Sequence, residues 1–468
     1  MDLEKRLMEE FGHTSFRQGQ REIISALVQR NDTFAVVPTG TGKSLCYQFA
    51  GRLLNGTVVI VSPLISLMED QVRGLVKAGE RQAIAFNSTL TFEEKAFVLN
   101  HFQEYKYIYI SPESLMNPPV LERLSSMKLA LFVIDEAHCV SQWGVDFRPE
   151  YVKIRDVLKK LGFPLTLALT ATASDRVKQE VKQHLFRDPT QVCDFFYSVN
   201  RPNISLLVET TSDKEERLLD YLLRLNQRGI VYCATRKATE RLSQRINDKT
   251  TIQAAFYHGG LSTDERSKIQ QQFVDDEIQL LCATSAFGMG IDKSDIRMII
   301  HYDCPASLEN YVQEIGRAGR DGQPSIAILL YRHGDEMIHR FFQSEVREAL
   351  QQLQRLTQSQ QELSQEAVEA LSDIQQKWLE GYYNGAYTMT ELEKRLQQKN
   401  TERDQQLEQM LAYIHTNACR RKIVMEYFSE SGKSGPVGFC CDRCGLEIDN
   451  FENHTVHHEQ RETFGNSD

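Results

Sequence analysis

An α/β fold of two tandem parallel-sheet domains followed by a helical, metal-binding module is predicted from three observations. β-branched apolar runs alternate with longer amphipathic stretches in two successive series, the strand signals stop near Gly334, and four cysteines crowd into residues 419–444. Alternation of this kind is the pattern of parallel strands covered by helices. The 468 residues, 41% hydrophobic and 25% charged, suffice for about three domains of ordinary size. No apolar run approaches the ~18 to 20 residues that cross a bilayer, so no membrane contact is expected. Residues 1–10 carry both signs of charge rather than the basic-then-apolar layout of a secretory signal, which predicts a cytoplasmic protein. A net charge of −10 argues against a basic coat for nucleic acid but leaves a local basic channel open.

The first series places strands at 33–37, 57–62, 107–110, 130–134 and 165–169. The second follows Asn203, with strands at 229–233, 254–257, 278–283, 298–302 and 325–330. The join is expected near 195–203, where Arg201-Pro202 interrupts both patterns. Beyond Gly334, residues 351–400 hold eleven glutamines among Leu353, Leu356, Leu363, Leu371 and Trp378. That apolar stripe predicts a packed, polar-faced helical arm. The last twenty or so residues have no apolar period and read as a loose tail. Domain limits of 1–198, 199–342 and 343–447, with a flexible tail at 448–468, follow.

The first strand runs into Pro38-Thr39-Gly40-Thr41-Gly42-Lys43-Ser44 and then a helical stretch. Glycines let backbone N–H groups surround phosphate oxygens, and the helix N-terminus adds its positive dipole end. Lys43 is suited to the β/γ-phosphates and Ser44 to Mg²⁺. The strict pattern has glycine where Val37 stands. The strand at 130–134 then delivers Asp135-Glu136-Ala137-His138. Asp135 can hold the water shell of Mg²⁺, and Glu136 can polarise an attacking water.

The phosphate loop with Asp135-Glu136-Ala137-His138, a DEAH box, resembles the motor core of superfamily two helicases. Phe16-Arg17-Gln18-Gly19-Gln20-Arg21-Glu22, ahead of that loop, and Ser141-Gln142-Trp143-Gly144-Val145-Asp146-Phe147-Arg148-Pro149-Glu150, after the acid pair, resemble motifs of the RecQ DNA helicases. The resemblance implies a fold of two RecA-like domains followed by a helical zinc-binding module. It implies that Gln20 reads the adenine edge, that Arg17 supports the nucleotide, and that Thr39, Gly40, Thr41 and Gly42 wrap the phosphates. It gives the segment of Gln142, Trp143, Phe147 and Arg148 the task of linking single-stranded DNA to hydrolysis. Stacking on such aromatics contributes ~1 to 3 kcal/mol per base. Thr170-Ala171-Thr172-Ala173 resembles the element that links ATP state to domain movement, with His138 as its partner. Ser62-Pro63 and Ser111-Pro112 resemble strand ends that touch DNA.

In the second series, Tyr232-Cys233-Ala234-Thr235-Arg236 and Ala283-Thr284 through Asp292 resemble the family's second-domain motifs. That implies Arg236 and Thr284 on DNA phosphates and Asp292 near the nucleotide. Gln313-Glu314-Ile315-Gly316-Arg317-Ala318-Gly319-Arg320 presents two guanidinium groups three residues apart. By resemblance Arg320 is the arginine finger and Arg317 supports it.

Of ten cysteines, the six between Cys46 and Cys304 read as core residues of a reducing compartment. Cys419, Cys440, Cys441 and Cys444 suit tetrahedral Zn²⁺, and the layout resembles the RecQ zinc module. Gly438 stands where the family's spacing puts one ligand, which leaves the fourth ligand open between Cys440, His415 and His454. Together the resemblance implies an ATP-dependent helicase using ATP, Mg²⁺ and Zn²⁺, moving 3′ to 5′ on single-stranded DNA in recombination and repair, at the nucleoid of a bacterial cell, the polarity being carried over from the family and not readable from the residues. The implied partners are single-stranded and tailed or forked duplex DNA, with single-strand-binding and recombination proteins. The family's winged helix and further helical DNA-binding domain have no counterpart in these residues. The alternative is therefore a DNA-stimulated ATPase that remodels complexes with little unwinding.

Overall fold

A computed structural model describes residues 2–142, 150–287, 293–358, 365–383, 385, 387–431 and 438–452. Among the described residues thirteen strands form two sheets, parallel throughout. The first sheet takes β1 (Thr33–Val36), β2 (Thr57–Val61), β3 (Ala83–Phe86), β4 (Tyr107–Ile110), β5 (Leu129–Ile134), β6 (Thr166–Thr170) and β7 (Cys193–Phe196), in the order β3-β4-β2-β5-β6-β1-β7. The second takes β8 (Ile204–Thr210), β9 (Gly229–Tyr232), β10 (Ala254–Tyr257), β11 (Leu280–Ala283), β12 (Met298–His301) and β13 (Ser325–Tyr331), in the order β10-β11-β9-β12-β13-β8. Interior strands are apolar on both faces because helices cover both. In the first sheet Phe34, Val59, Ile108 and Phe132 fill one core while Ala35, Val58, Ile60 and Val133 fill the other.

Three strands escape the sequence pattern. Cys193–Phe196 is an edge strand, half exposed, with Asp194 and Phe196 facing out. Ile204–Thr210 begins directly after Pro202 and pairs with β13 through seven residues. Ala83–Phe86 is four residues at the far edge.

The chain's last third packs onto the second domain. Met410, Tyr413 and Ile414 of the helix Met389–His415, Val424 of the helix Arg420–Tyr427, and Cys440 and Cys441 join the core beneath β8 and β13. Leu206 N–H donates to the Cys440 carbonyl at 3.1 Å, so the cysteine segment covers the outer edge of β8 and satisfies a donor that an open edge would leave bare. Leu350, Leu353, Leu371, Trp378, Leu392 and Leu396 make a separate small core for the helical arm.

The loose tail expected from residue 448 is corrected at its start only, since 453–468 lie outside the described residues. Ile448–Phe451 forms a short 3-10 helix. Phe451 is 3% exposed, and its carbonyl accepts from Gln227 Nε2 at 2.8 Å. One aromatic seated in the core against Leu225 and Phe439 anchors the turn despite its polar neighbours. Among the described residues no helix is long and apolar enough to cross a membrane.

Candidate functional site

The phosphate loop leaves β1 and enters the helix Lys43–Leu53 at Gly42, whose φ is 74°. Thr41 Oγ1 donates to the Pro38 carbonyl at 2.7 Å, closing the loop on itself. Arg17 Nη1 donates to the Gly40 carbonyl at 2.8 Å. Gln20 Nε2 donates to the Thr41 and Gly42 carbonyls at 2.8 and 3.0 Å, while its Oε1 accepts from Arg17 N–H at 2.9 Å. Both halves of the Gln20 amide are thus bonded to backbone, so reading an adenine edge requires the amide to turn.

Asp135 and Glu136 leave the C-terminal end of β5, beside that loop. Asp135 N–H donates to the Val61 carbonyl and Ala137 N–H to the Leu169 carbonyl, at 2.9 and 2.8 Å, so both neighbouring strands hold the turn. Glu136 sits between them at φ 49°, a left-handed conformation costly for a side chain with a Cβ and kept where surrounding structure over-determines it. Burial pushes the Asp135 carboxyl up to about 7, and the neighbouring Glu136 pushes the same way, while the Lys43 charge pulls down. A buried acid pair facing a lysine is arranged to receive a cation. Ser44 opens the same helix one residue after Lys43.

His138 is 1% exposed. Its Nδ1 lies 2.8 Å from Thr170 Oγ1 and 3.3 Å from Glu136 Oε2. Burial holds its pKa below the usual histidine value. From the second domain, Gln313 Nε2 donates to Thr172 Oγ1 at 3.1 Å and lies 3.5 Å from His138 Nε2.

The second domain reaches the phosphate loop through the turn after the helix Leu308–Ile315. Thr39 Oγ1 donates to the Gly316 carbonyl at 2.7 Å. A Cβ at Gly316 would stand 2.4 Å from Thr39 Oγ1, and one at Gly319 2.4 Å from Asn203 Nδ2. Gly316 therefore allows the close approach to the phosphate loop, and Gly319 the close packing of the turn within its own domain. The turn carries both arginines: Arg320, directly after Gly319, has its Cγ 2.9 Å from where a Cβ on Gly40 would stand, and Arg317 is buried.

Arg236 and Thr284 follow β9 and β11, neighbouring strands of the second sheet, and are exposed or half-exposed on one edge. Trp143, Phe147, Arg148 and Asp292 lie outside the described residues, as does the side chain of Gln142. Sequence reasoning passed over Arg201, treating it as a pattern break. Its guanidinium donates to four carbonyls, Thr39, Gly316, Ala318 and Gly319, at 3.2, 3.1, 3.0 and 2.6 Å.

The Sγ atoms of Cys419, Cys440, Cys441 and Cys444 all lie within 4.8 Å of one another. Cys419 Sγ is 3.6 Å from Cys440 Sγ and 3.9 Å from Cys441 Sγ. A tetrahedral Zn²⁺ with bonds of about 2.3 Å separates its sulfurs by about 3.8 Å, so the donor set fits zinc. Arg420 clamps the site, donating to Asp442 at 2.9 Å and to the Tyr413 carbonyl at 2.7 Å. Cys440 Sγ lies within this cluster. His415 instead stacks on His333 at 6.0 Å, and His454 lies outside the described residues.

Comparison with known proteins follows this layout. Residues 17–181 match the family model of the DEAD/DEAH box helicase, 213–322 the helicase conserved C-terminal domain, and 337–445 the RecQ zinc-binding domain. The chain is 42% identical over 464 residues to the probable ATP-dependent DNA helicase RecS of Bacillus subtilis (strain 168), covering 96% of this chain and 93% of the relative. It is 36% identical over 457 residues to the ATP-dependent DNA helicase RecQ of the same organism, covering 96% and 67%. Among solved structures, the DEAD-box helicase Mss116 bound to ssRNA and UDP-BeF superposes with a TM-score of 0.62 at 17% identity, over 91% of this chain and 89% of that one. At that identity the likeness speaks for the fold alone.

Proposed function

The chain belongs to the RecQ family of ATP-dependent DNA helicases, and from that premise we propose that it moves 3′ to 5′ along single-stranded DNA and separates duplex strands in recombination and repair. The observation that carries the reading is the meeting of the two domains at the phosphate loop, where the turn of Arg317 and Arg320 packs on Thr39 and Gly40.

The roles combine the placement of the described residues with the family resemblance. Lys43 binds the β/γ-phosphates, and Ser44 and Asp135 hold Mg²⁺, which neutralises phosphate charge when bound. Glu136, fixed in its left-handed turn, orients the attacking water and takes its proton. Arg320 and Arg317 bring positive charge from the opposite domain, so hydrolysis requires closure. Arg17 and Gln20 grip the loop from behind and turn to the base when nucleotide enters, and Asp292 takes its nucleotide role from the family resemblance. Arg236 and Thr284 track DNA phosphates, and Gln142, Trp143, Phe147 and Arg148, by family resemblance, meet bases. His138, bonded to Thr170 and within reach of Gln313, passes the state of the DNA to the acid pair. Cys419, Cys440, Cys441 and Cys444 hold a structural zinc that cross-links the module against β8.

The test is ATP-dependent strand separation on duplexes with a 3′ or a 5′ single-stranded tail, with Lys43→Ala as the inactive control. Unwinding from the 3′ tail alone is expected. DNA-stimulated hydrolysis with no unwinding from either tail would replace this reading with a translocase that leaves strand separation to a partner.

A further inference from the structure

Arg201 is a half-buried guanidinium bonded to carbonyl oxygens of both domains. Three of its four acceptors, Gly316, Ala318 and Gly319, belong to the turn that ends the helix Leu308–Ile315, and the fourth is Thr39 in the phosphate loop. Carbonyls at a helix C-terminus have no partner within the helix, so one planar cation with five donors can fix the whole turn. Asn203, two residues on, adds bonds from Nδ2 to the Gly319 and Gln323 carbonyls at 2.9 and 3.0 Å. The backbone that carries Arg201 is fixed in turn. Arg421, on the helix beside the zinc ligands, donates to Asn200 Oδ1, the Arg201 carbonyl and the Ile204 carbonyl at 2.8, 2.8 and 2.7 Å.

We propose that Arg201 is a positioning residue for ATP hydrolysis: it locks the Gly316–Gly319 turn, and with it Arg320, onto the phosphate loop when the two domains close. It touches neither nucleotide nor water in this role. Its bonds within the turn keep the backbone of Arg317 and Arg320 in one shape, and its bond to Thr39 forms only on closure. Removing it therefore acts on the closed, hydrolysing state more than on nucleotide binding to the open one. The inference rests on reading Arg320 as the finger, and the experiment separates the two.

DNA-stimulated hydrolysis is measured for Arg201→Ala, Arg320→Ala and the double variant, with single-turnover runs for the slow forms. Melting temperature and zinc content serve as folding controls. Arg201→Ala is expected to lower kcat by about tenfold to a hundredfold, with the ATP KM within about threefold. The double variant is expected to be no slower than Arg320→Ala alone, because a lock has nothing to place once the finger is gone. Arg201→Lys keeps the charge but loses the fork, so it should fall between parent and Arg201→Ala; it carries the test if the alanine variant does not fold. A kcat within twofold of parent, a loss seen only in KM, or full additivity with Arg320→Ala would each overturn the lock. An unimpaired Arg320→Ala would overturn the finger reading itself, whatever Arg201→Ala does, and the lock with it.

Discussion

Thr39 and Gly316 lie 277 residues apart in sequence, and the threonine hydroxyl donates to the glycine carbonyl at 2.7 Å. The bond joins the phosphate loop of one sheet to the arginine-bearing turn of the other. It exists only because position 316 has no side chain: a Cβ there would stand 2.4 Å from that hydroxyl. Domain closure and Gly316 are therefore a single requirement.

Gly316→Ala should slow DNA-stimulated hydrolysis by about tenfold, equivalent to ~1.4 kcal/mol at the barrier, with little change in melting temperature. The backbone at 316 is helical, and within its own domain alanine meets nothing closer than the Val312 carbonyl at 3.1 Å, against 2.4 Å to the Thr39 hydroxyl. Adding Thr39→Ala removes the clashing hydroxyl and should restore part of the loss. If Gly316→Ala hydrolyses ATP at the parent rate, the closed contact is not the hydrolysing one.

What the sequence disclosed divides by distance along the chain. The phosphate loop and the acid pair are contiguous, and each reads as strand, turn and chemistry in one stretch. Interior parallel strands such as Tyr107–Ile110 read as apolar runs because both faces are buried. Cys193–Phe196 was invisible because an edge strand is only half covered and keeps Asp194. Arg201 was invisible for another reason: its acceptors at Gly316, Ala318 and Gly319 lie 115 to 118 residues away, and nothing local distinguishes an arginine that will collect carbonyls from one beside a proline. The cysteine cluster was legible as four ligands, but adjacent Cys440 and Cys441 broke the expected spacing. The folded segment, docked on β8, brings both sulfurs into one cluster with Cys419 and Cys444.

Zinc content distinguishes that set from its competitors. The purified protein should carry one zinc per chain, and Cys440→Ala should lose most of it and melt at lower temperature, since three thiolates remain and the segment pairing with Leu206 loses its anchor. His415→Ala should keep its zinc, because that ring stacks on His333 and Tyr331 instead. Full zinc in Cys440→Ala with loss in His415→Ala would reverse the assignment.

Phe451→Ala measures how firmly the end of the described chain is fixed. A free tail predicts no effect on unfolding. A ring buried among Leu225, Phe439 and Ile448 predicts a loss of about 3 to 5 kcal/mol, the usual range for phenylalanine truncated in a core. Urea unfolding followed by tryptophan and circular dichroism reads the difference, and a cost below about 1 kcal/mol would restore the tail to solvent.

Gln313→Ala tests the connection between DNA and hydrolysis. Gln313 is the second-domain residue that reaches both Thr172 Oγ1 and the neighbourhood of His138 Nε2, and His138 in turn meets Thr170 and Glu136. Thr172 and His138 are buried, so truncation leaves polar groups short of a partner at a cost of about 1 to 3 kcal/mol. That cost falls on the closed state alone, because only closure brings the amide to them. Hydrolysis without DNA, limited by rare closure, should fall by about tenfold or more, because it scales with the closed population. Saturating DNA, which favours closure, should buffer the loss, so the ratio of stimulated to basal activity should rise. An unchanged ratio, with both rates lowered together, would make Gln313 a general prop of the second domain and leave the passage from DNA to the acid pair to other residues.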